Sequence, residues 1–272
     1  MTKKKIMVRK ASGKLEAFSE DKVRRSLARA GVNIKVINKI IKEVIPKIHQ
    51  GMTTKEIYQH VFELLEQYEA ENSYNYSLKD ALMKLGPSGF PFEKFIGRLF
   101  EKLGYESKVS NIISGSCLSY EIDVVISKDG KRDLVECKYH NRSGTKTQSK
   151  DVLCLQAKFE DIGSYDRAWL VTNTKLTTSA IKYAKCKGIK LLAWRYPEEE
   201  GLEKLIERFN LQPITALNFL SHQEQRILIE NNIIAVSDLL KLRRPEIERM
   251  GFNQERSERL YDFVNLQNTK LN

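Results

Sequence analysis

Four cysteines are all that the chain contains, Cys117, Cys137, Cys154 and Cys186. They are widely spaced, form no CxxC pair and have no histidine placed to join them. Neither a disulfide framework nor a zinc site is expected. No apolar run approaches the ~18 residues that a membrane span needs. The start Met1-Thr-Lys-Lys-Lys5 is rich in lysine and lacks the apolar core of a signal peptide. The expectation is a protein of a reducing cytoplasm without a membrane partner.

What the chain has in excess is positive charge. Its 272 residues carry a formal net charge of +11, enough length for two or three small domains. A basic balance favours polyanions such as nucleic acid or nucleotides, although the same charge also serves solubility. The distribution says more than the sum. The excess is largest in residues 1–90, and residues 201–272 hold as many acids as bases.

The rest of the chain is organised around Glu121 to His140, EIDVVISKDGKRDLVECKYH. Two runs rich in Val, Ile and Leu flank Asp129-Gly130, the dipeptide suited to a two-residue hairpin turn because both central residues need positive φ. That turn sets Asp123 opposite Glu136 and Glu121 opposite Lys138. Residues two apart on a strand share a face. Asp123, Glu136 and Lys138 should therefore converge, with Ile122, Val124 and Cys137 turned to the other side. Directly opposed carboxylates destabilise a sheet, their Cβ atoms being only about 5 Å apart. A divalent cation would compensate them, since Mg²⁺ takes one or two carboxylates plus water and phosphate. A lysine beside them can stabilise phosphate charge or orient a water. The chemistry is that of phosphodiester cleavage; the alternative for an isolated ExK is a surface salt-bridge ladder.

These residues resemble the D…ExK signature of the PD-(D/E)xK nucleases, and their surroundings resemble the Mrr-type restriction endonuclease domain. Pro91-Phe-Glu-Lys-Phe-Ile-Gly-Arg-Leu-Phe-Glu-Lys-Leu-Gly104 resembles that family's first helix, with Glu93 as its acidic residue. A strand at Ala168–Thr174, a helix at about Thr177–Lys187 and a strand at Ile189–Trp194 follow in the family's order. The resemblance implies a mixed β-sheet flanked by helices. It also implies Asp123 and Glu136 as ligands of Mg²⁺ or Mn²⁺, Lys138 on the water or the scissile phosphate, and Glu93 in support. Between the ExK strand and the next helix, a polar, basic loop, residues 141–150, is a candidate to track a phosphate backbone. The helix from about Asp151 to Ile162 offers Gln156 and Lys158, and related nucleases often carry a glutamine there. His140, at a strand end, reads as structural rather than catalytic.

Upstream, residues 4–18 read as a hairpin, Ile6–Lys10 and Lys14–Phe18, turning through Ala11-Ser12-Gly13. Helices should follow from Glu20 to about Ala30 with Ser19 as N-cap, from Ile37 along an Ile/Val repeat to Gly51, from Thr53 to about Tyr68, and from Tyr76 to Leu85. Val8-Arg-Lys-Ala-Ser-Gly13…Phe18…Lys22-Val23, together with Tyr74-Asn-Tyr76, resembles the ATP-cone, a regulatory domain of ribonucleotide reductases and their repressor. The resemblance implies ATP or dATP as ligand, its phosphates among Arg9, Lys10 and Lys22. Ala11 stands where a second basic residue is usual, and Ser12 where an acidic or small polar one is. Two ammonium groups held together repel, so a bare strained site relieved by a polyphosphate is expected. The other reading is a helical dimerisation or DNA-contacting domain.

Pro197-Glu-Glu-Glu-Gly201 reads as a linker, and residues 202–265 as short helices: Leu220–Glu230, Val236–Leu240, and one opened by Pro245 and ended by Gly251. This resembles a helix-hairpin-helix pair without the Gly-x-Gly that presents amides to phosphate. The whole is therefore expected to be a multidomain α+β and α/β protein. Residues 1–88 form a helical ATP-cone with an N-terminal hairpin, 89–198 a nuclease domain, and 199–272 a small all-α domain. The implied function is a nucleotide-regulated, Mg²⁺-dependent endonuclease of double-stranded DNA, oligomeric, with restriction or phage defence as the setting known for such nucleases. A nucleotide-responsive DNA-binding regulator, or an oligomerising scaffold, is the alternative.

Overall fold

The computed structural model describes residues 5–10, 13–142 and 144–271, and the side chains of residues 70, 71, 74, 75 and 267–271 are outside that description. The chain forms two compact units, Met1–Lys79 and Asp80–Asn272. Among the described residues no helix is long and apolar enough to cross a membrane.

In the first unit, β1 (Met7–Arg9) pairs antiparallel with β2 (Leu15–Ala17), Met7 facing Ala17. The hairpin was expected; Ala11 and Ser12 of its turn lie outside the described residues. Helix α1 (Glu20–Arg29) starts after Ser19, which holds the N-cap position without a side-chain cap bond. Glu20 and Asp21 in the first turn complement the positive end of the helix instead. Helix α2 (Ile34–Val44) stops short of Gly51, giving way to a 3₁₀ turn at Ile45–Lys47. The reason is Pro46, which has no N–H and whose ring clashes with the carbonyl four residues back. Thr53 caps α3 (Thr54–Met83) reciprocally: its hydroxyl accepts from Glu56 N at 3.1 Å and its own N–H donates to Glu56 at 2.7 Å. Two helices were expected here, and a non-helical break at Glu69 (φ −157°, ψ 66°) does divide α3 where the first was to end, near Tyr68; the second resumes sooner than the expected Tyr76. Leu27, Ile37, Ile40, Ile41, Val44, Val61 and Leu65 close a core over which Val8 of the hairpin packs.

The second unit is built on a five-stranded mixed sheet. Helix α4 (Phe90–Lys102) leads into β3 (Glu106–Ser114), β4 (Ser119–Lys128) and β5 (Lys131–Lys138). The short β6 (Lys146–Thr147) precedes α5 (Ser149–Ile162), β7 (Arg167–Thr172), β8 (Lys175–Leu176), α6 (Thr178–Lys187) and β9 (Lys190–Ala193). The sheet order is β3-β4-β5-β7-β9, antiparallel across β3-β4-β5 and parallel across β5-β7-β9. The expected hairpin is present in the expected register, Val124 facing Val135, with Asp129 (φ 53°) and Gly130 (φ 74°) both left-handed at the turn. Strand β3 was not foreseen. Nor was the β6–β8 pairing, which makes two residues of the basic 141–150 loop part of a parallel ladder.

Helix α4 buries Phe92, Phe95, Ile96, Leu99 and Phe100, an i, i+3, i+4, i+7, i+8 stripe that packs on the sheet. Each such side chain contributes about 1.5–3 kcal/mol. Gly97 lets the helix approach β3, since a Cβ there would meet Val109 at 3.2 Å and Ser107 at 3.3 Å. On the other face, α5 and α6 cover Ala168, Leu170 and Leu191 with Val152, Leu155, Ala180 and Ala184.

The C-terminal helices are α7 (Leu202–Arg208), α8 (His222–Glu230), α9 (Val236–Leu239), α10 (Arg244–Glu248) and α11 (Gln254–Leu271). The expected helix opened by Pro245 and ended by Gly251 is α10, with Gly251 left-handed (φ 87°) shortly after it, whereas the 18-residue α11 was not foreseen. The Pro197–Gly201 segment is a packed turn: a Cβ on Gly201 would meet Arg195 Cα at 2.8 Å, and Glu203 N donates to Trp194 O at 3.0 Å.

Candidate active site

The β4–β5 ladder runs from the Asp129-Gly130 turn to Val124 and Val135. Beyond them β5 stays paired to β7 through Glu136, Cys137 and Lys138. The two strands therefore part at Asp123 and Glu136. The Cys137 N–H, past the last β4 pair, donates to Asp123 Oδ2 at 2.6 Å. Glu93, in the first turn of α4 with its N–H bonded to Gly89 O at 3.0 Å, comes to the same place.

The electrostatics record how crowded it is. Burial pushes Asp123 up to about 6, and the Glu136 charge adds to it against the Cys137 hydrogen bond and Lys158. Burial pushes Glu93 up to about 7, helped by Asp123, Glu121 and Glu136. Glu121, one strand repeat before Asp123, was not expected in this cluster. Cys137 is half-buried, and desolvation pushes its thiol well above its usual range, so it serves as packing and not as a nucleophile.

The two cations are arranged differently from expectation. Lys138 Nζ lies 3.5 Å from Asp151 on α5. It is Lys158, also on α5, that meets Glu136, at 2.9 Å. Thus α5 answers both charges of the ExK strand, the acid with a lysine and the lysine with an acid. Gln156 is 8 % exposed and donates to Glu160 at 2.6 Å, while its buried Oε1 has no hydrogen-bond partner among the described residues. His140 is tied to Thr147 Oγ1 at 3.0 Å and its pKa is lowered by burial, in line with a structural role. Glu121 and Asp151 carried no signal in the sequence beyond strand alternation and a helix start, and Lys158 none beyond its place on a helix.

Among the described residues no three His, Cys, Asp or Glu side chains are gathered as a ready metal cage. Asp123 and Glu136 nevertheless suit a hard cation, because crowded, partly buried carboxylates are what Mg²⁺ relieves, and it completes its octahedron with water and phosphate.

In the amino-terminal unit, Lys10 and Lys22 do converge, as the resemblance implied, but Glu16 stands between them and pairs with both. Hydrogen bonds from Lys10 and Lys22 hold Glu16 down to about 2. The expected strain between two unpaired ammonium groups is therefore absent. Arg9 is exposed, with its N–H on Met52 O at 3.0 Å.

Comparison with known proteins agrees with this architecture. Residues 6–79 match the ATP cone domain and residues 86–195 match a restriction endonuclease domain. A protein of Archaeoglobus fulgidus, itself uncharacterized, is 35% identical over 164 residues, which is 60% of this chain and 93% of the relative. A crystal structure of a protein of unknown function superposes with a TM-score of 0.59 at 32% identity, covering 65% of this chain and 97% of that one. The class is thus an ATP cone followed by a restriction endonuclease fold. The chain belongs to one family with the Archaeoglobus protein.

Proposed function

We propose that the protein is a metal-dependent endonuclease of double-stranded DNA whose ATP cone binds ATP or dATP and regulates cutting. The observation that carries this reading is the gathering of Glu93, Asp123 and Glu136, with Glu121, where β4 and β5 part. A DNA-binding surface gains nothing from crowded carboxylates beside phosphate.

Asp123 and Glu136 would hold Mg²⁺ or Mn²⁺, which when bound acidifies water and neutralises phosphate charge. Lys138 and Lys158 flank that position, and either can lie against the scissile phosphate once the carboxylate it now pairs with is otherwise engaged. Glu93, held near neutral pH, is matched to accept the proton of an attacking water. Gln156 is kept as a candidate for the same site, through its unpartnered carbonyl oxygen.

At the cone, Arg9, Lys10 and Lys22 would bind the phosphates, and Glu16 must first give up its two lysines. The reading divides the chain at 1–88, 89–198 and 199–272, takes a homo-oligomer as the regulated species, and sets the activity in restriction or phage defence inside the cell. Its test is cleavage of supercoiled plasmid with and without Mg²⁺, ATP and dATP. Mg²⁺-dependent nicking, abolished in Glu136→Ala and altered by nucleotide, supports it. DNA binding without cutting would favour the nucleotide-responsive regulator.

A further inference from the structure

Between the start of α4 and α8 lies a cleft of about 730 Å³, within the ~300–1,000 Å³ of ligand sites. Lys94 on α4 and Arg226 on α8 both line it, as do Phe90 and His222, the first residue of α8. Phe90 is 44% exposed, with the Lys94 ammonium 4.6 Å from its ring centroid. Among the described residues Lys94 and Arg226 make no ion pair. Glu230 is the single acid among the described lining residues, and Lys84 is already engaged by Asp80 at 2.5 Å.

The walls are held in place. Thr215 Oγ1 donates to Ala81 O at 2.7 Å, and Arg98 reaches Asp238 at 3.5 Å, which fastens the C-terminal helices to the nuclease core. Tyr139, the residue after Lys138, donates to Met83 O at 2.6 Å and accepts from Gly86 N at 3.1 Å. The cleft and the carboxylate cluster thus share two supports: the start of α4, whose Phe90 and Lys94 line the cleft and whose Glu93 belongs to the cluster, and the end of β5.

We propose that this cleft is a binding site for an unpaired segment of DNA strand leaving the cutting site, and that α8 of the C-terminal region serves to build it. The proposal rests on the nuclease reading. Lys94 and Arg226 would each take a phosphate, and the open edge and face of Phe90 would stack on a base, since every base offers a π-face. An acidic peptide offers the cations a charge but nothing for Phe90 to stack on. Glu230 keeps the site from holding the strand too tightly.

The test is fluorescence anisotropy of a labelled single-stranded oligonucleotide and of its duplex, on the full chain in EDTA, where nothing is cut. Arg226→Glu and Lys94→Glu should each weaken single-strand binding about tenfold at low salt and lower the salt slope by about one. Arg226→Gln should weaken it less, and Glu230→Gln should tighten it. Phe90→Ala should weaken the single strand about tenfold and the duplex less, with melting temperatures unchanged. Variants that bind within twofold of wild type overturn the cleft, as does competition by polyglutamate that outdoes the oligonucleotide. Because the assay contains no metal, Mg²⁺-dependent nicking lost in Glu136→Ala would leave the nuclease reading standing in that case. Wild type that neither binds DNA nor nicks it would remove both.

Discussion

The two charged sites differ in how their charges are balanced. At the amino-terminal hairpin, one carboxylate sits between two lysines near the surface, and the ion pairs hold Glu16 down to about 2. At the end of β4 and β5, the partly buried Glu93, Asp123 and Glu136 crowd together with the exposed Glu121 beside them, and Asp123 and Glu93 are pushed up to about 6 and about 7. Solvent screens the first arrangement, so its pairs exchange readily for a better anion. Burial strengthens the second, so its repulsion stays until a proton or a cation arrives. One site is satisfied when empty and must be competed for; the other is poised to receive charge.

The largest effect should come from removing the poised site. Asp123→Ala or Glu136→Ala should lower Mg²⁺-dependent plasmid nicking by about a thousandfold or more, read on a gel as supercoiled DNA that persists. Asp123→Asn should lose activity equally while keeping an acceptor for the Cys137 N–H. Activity near wild type in any of these would place the chemistry elsewhere.

Next comes the pH dependence of the same cluster. Asp123 and Glu93 ordinarily titrate near 3.8 and 4.5, and folding raises them to about 6 and about 7. The folded state therefore holds protons that the unfolded chain has released across that window. Their contribution to stability is present below pH 4 and is lost as pH rises through about 7. In EDTA, thermal scans should show this pair lowering the melting temperature between pH 5 and pH 8, and Glu93→Gln should flatten the slope. Added Mg²⁺ should stabilise more at pH 8 than at pH 5, because it no longer competes with protons. Equal stabilisation at both would contradict binding at these carboxylates.

A smaller effect is expected at the satisfied site. Calorimetry should show Glu16→Gln binding a triphosphate several-fold more tightly than wild type at low salt, since its lysines are released. Lys10→Ala with Lys22→Ala should lose the triphosphate, while nicking by Asp123, Glu136 and Lys138 continues. Wild type that binds neither ATP nor dATP would mean that the departures at Ala11 and Ser12 have disabled the cone. Smallest of all, Thr53→Ala should cost about 1 kcal/mol through the lost cap of α3, read as a lower melting temperature.

Local chemistry made much of this legible in advance. Asp129-Gly130 suits a tight turn, and the turn determines which residues face each other, so the register up to Val124–Val135 followed from the sequence alone, although the ladder ends before it reaches Asp123 and Glu136. The apolar stripe of α4, the N-cap of α3 and the order of strands and helices after β5 are likewise properties of short segments. Where expectation failed locally, a countersignal was present: Pro46 ends the isoleucine repeat.

The rest depends on which segments meet. That strand β3 lies on the sheet edge, that Lys158 rather than Lys138 pairs with Glu136, and that Glu121 joins the acidic cluster are outcomes of packing between elements far apart in the chain. Glu16 lying between Lys10 and Lys22 is closer to local, six residues from each, yet it too depends on how the hairpin folds against α1. Hairpin register and helix faces arise from backbone geometry repeating every two or 3.6 residues, and a sequence displays that period directly. A long charged side chain can reach several partners at similar energy, and only the assembled surfaces decide which of them it takes.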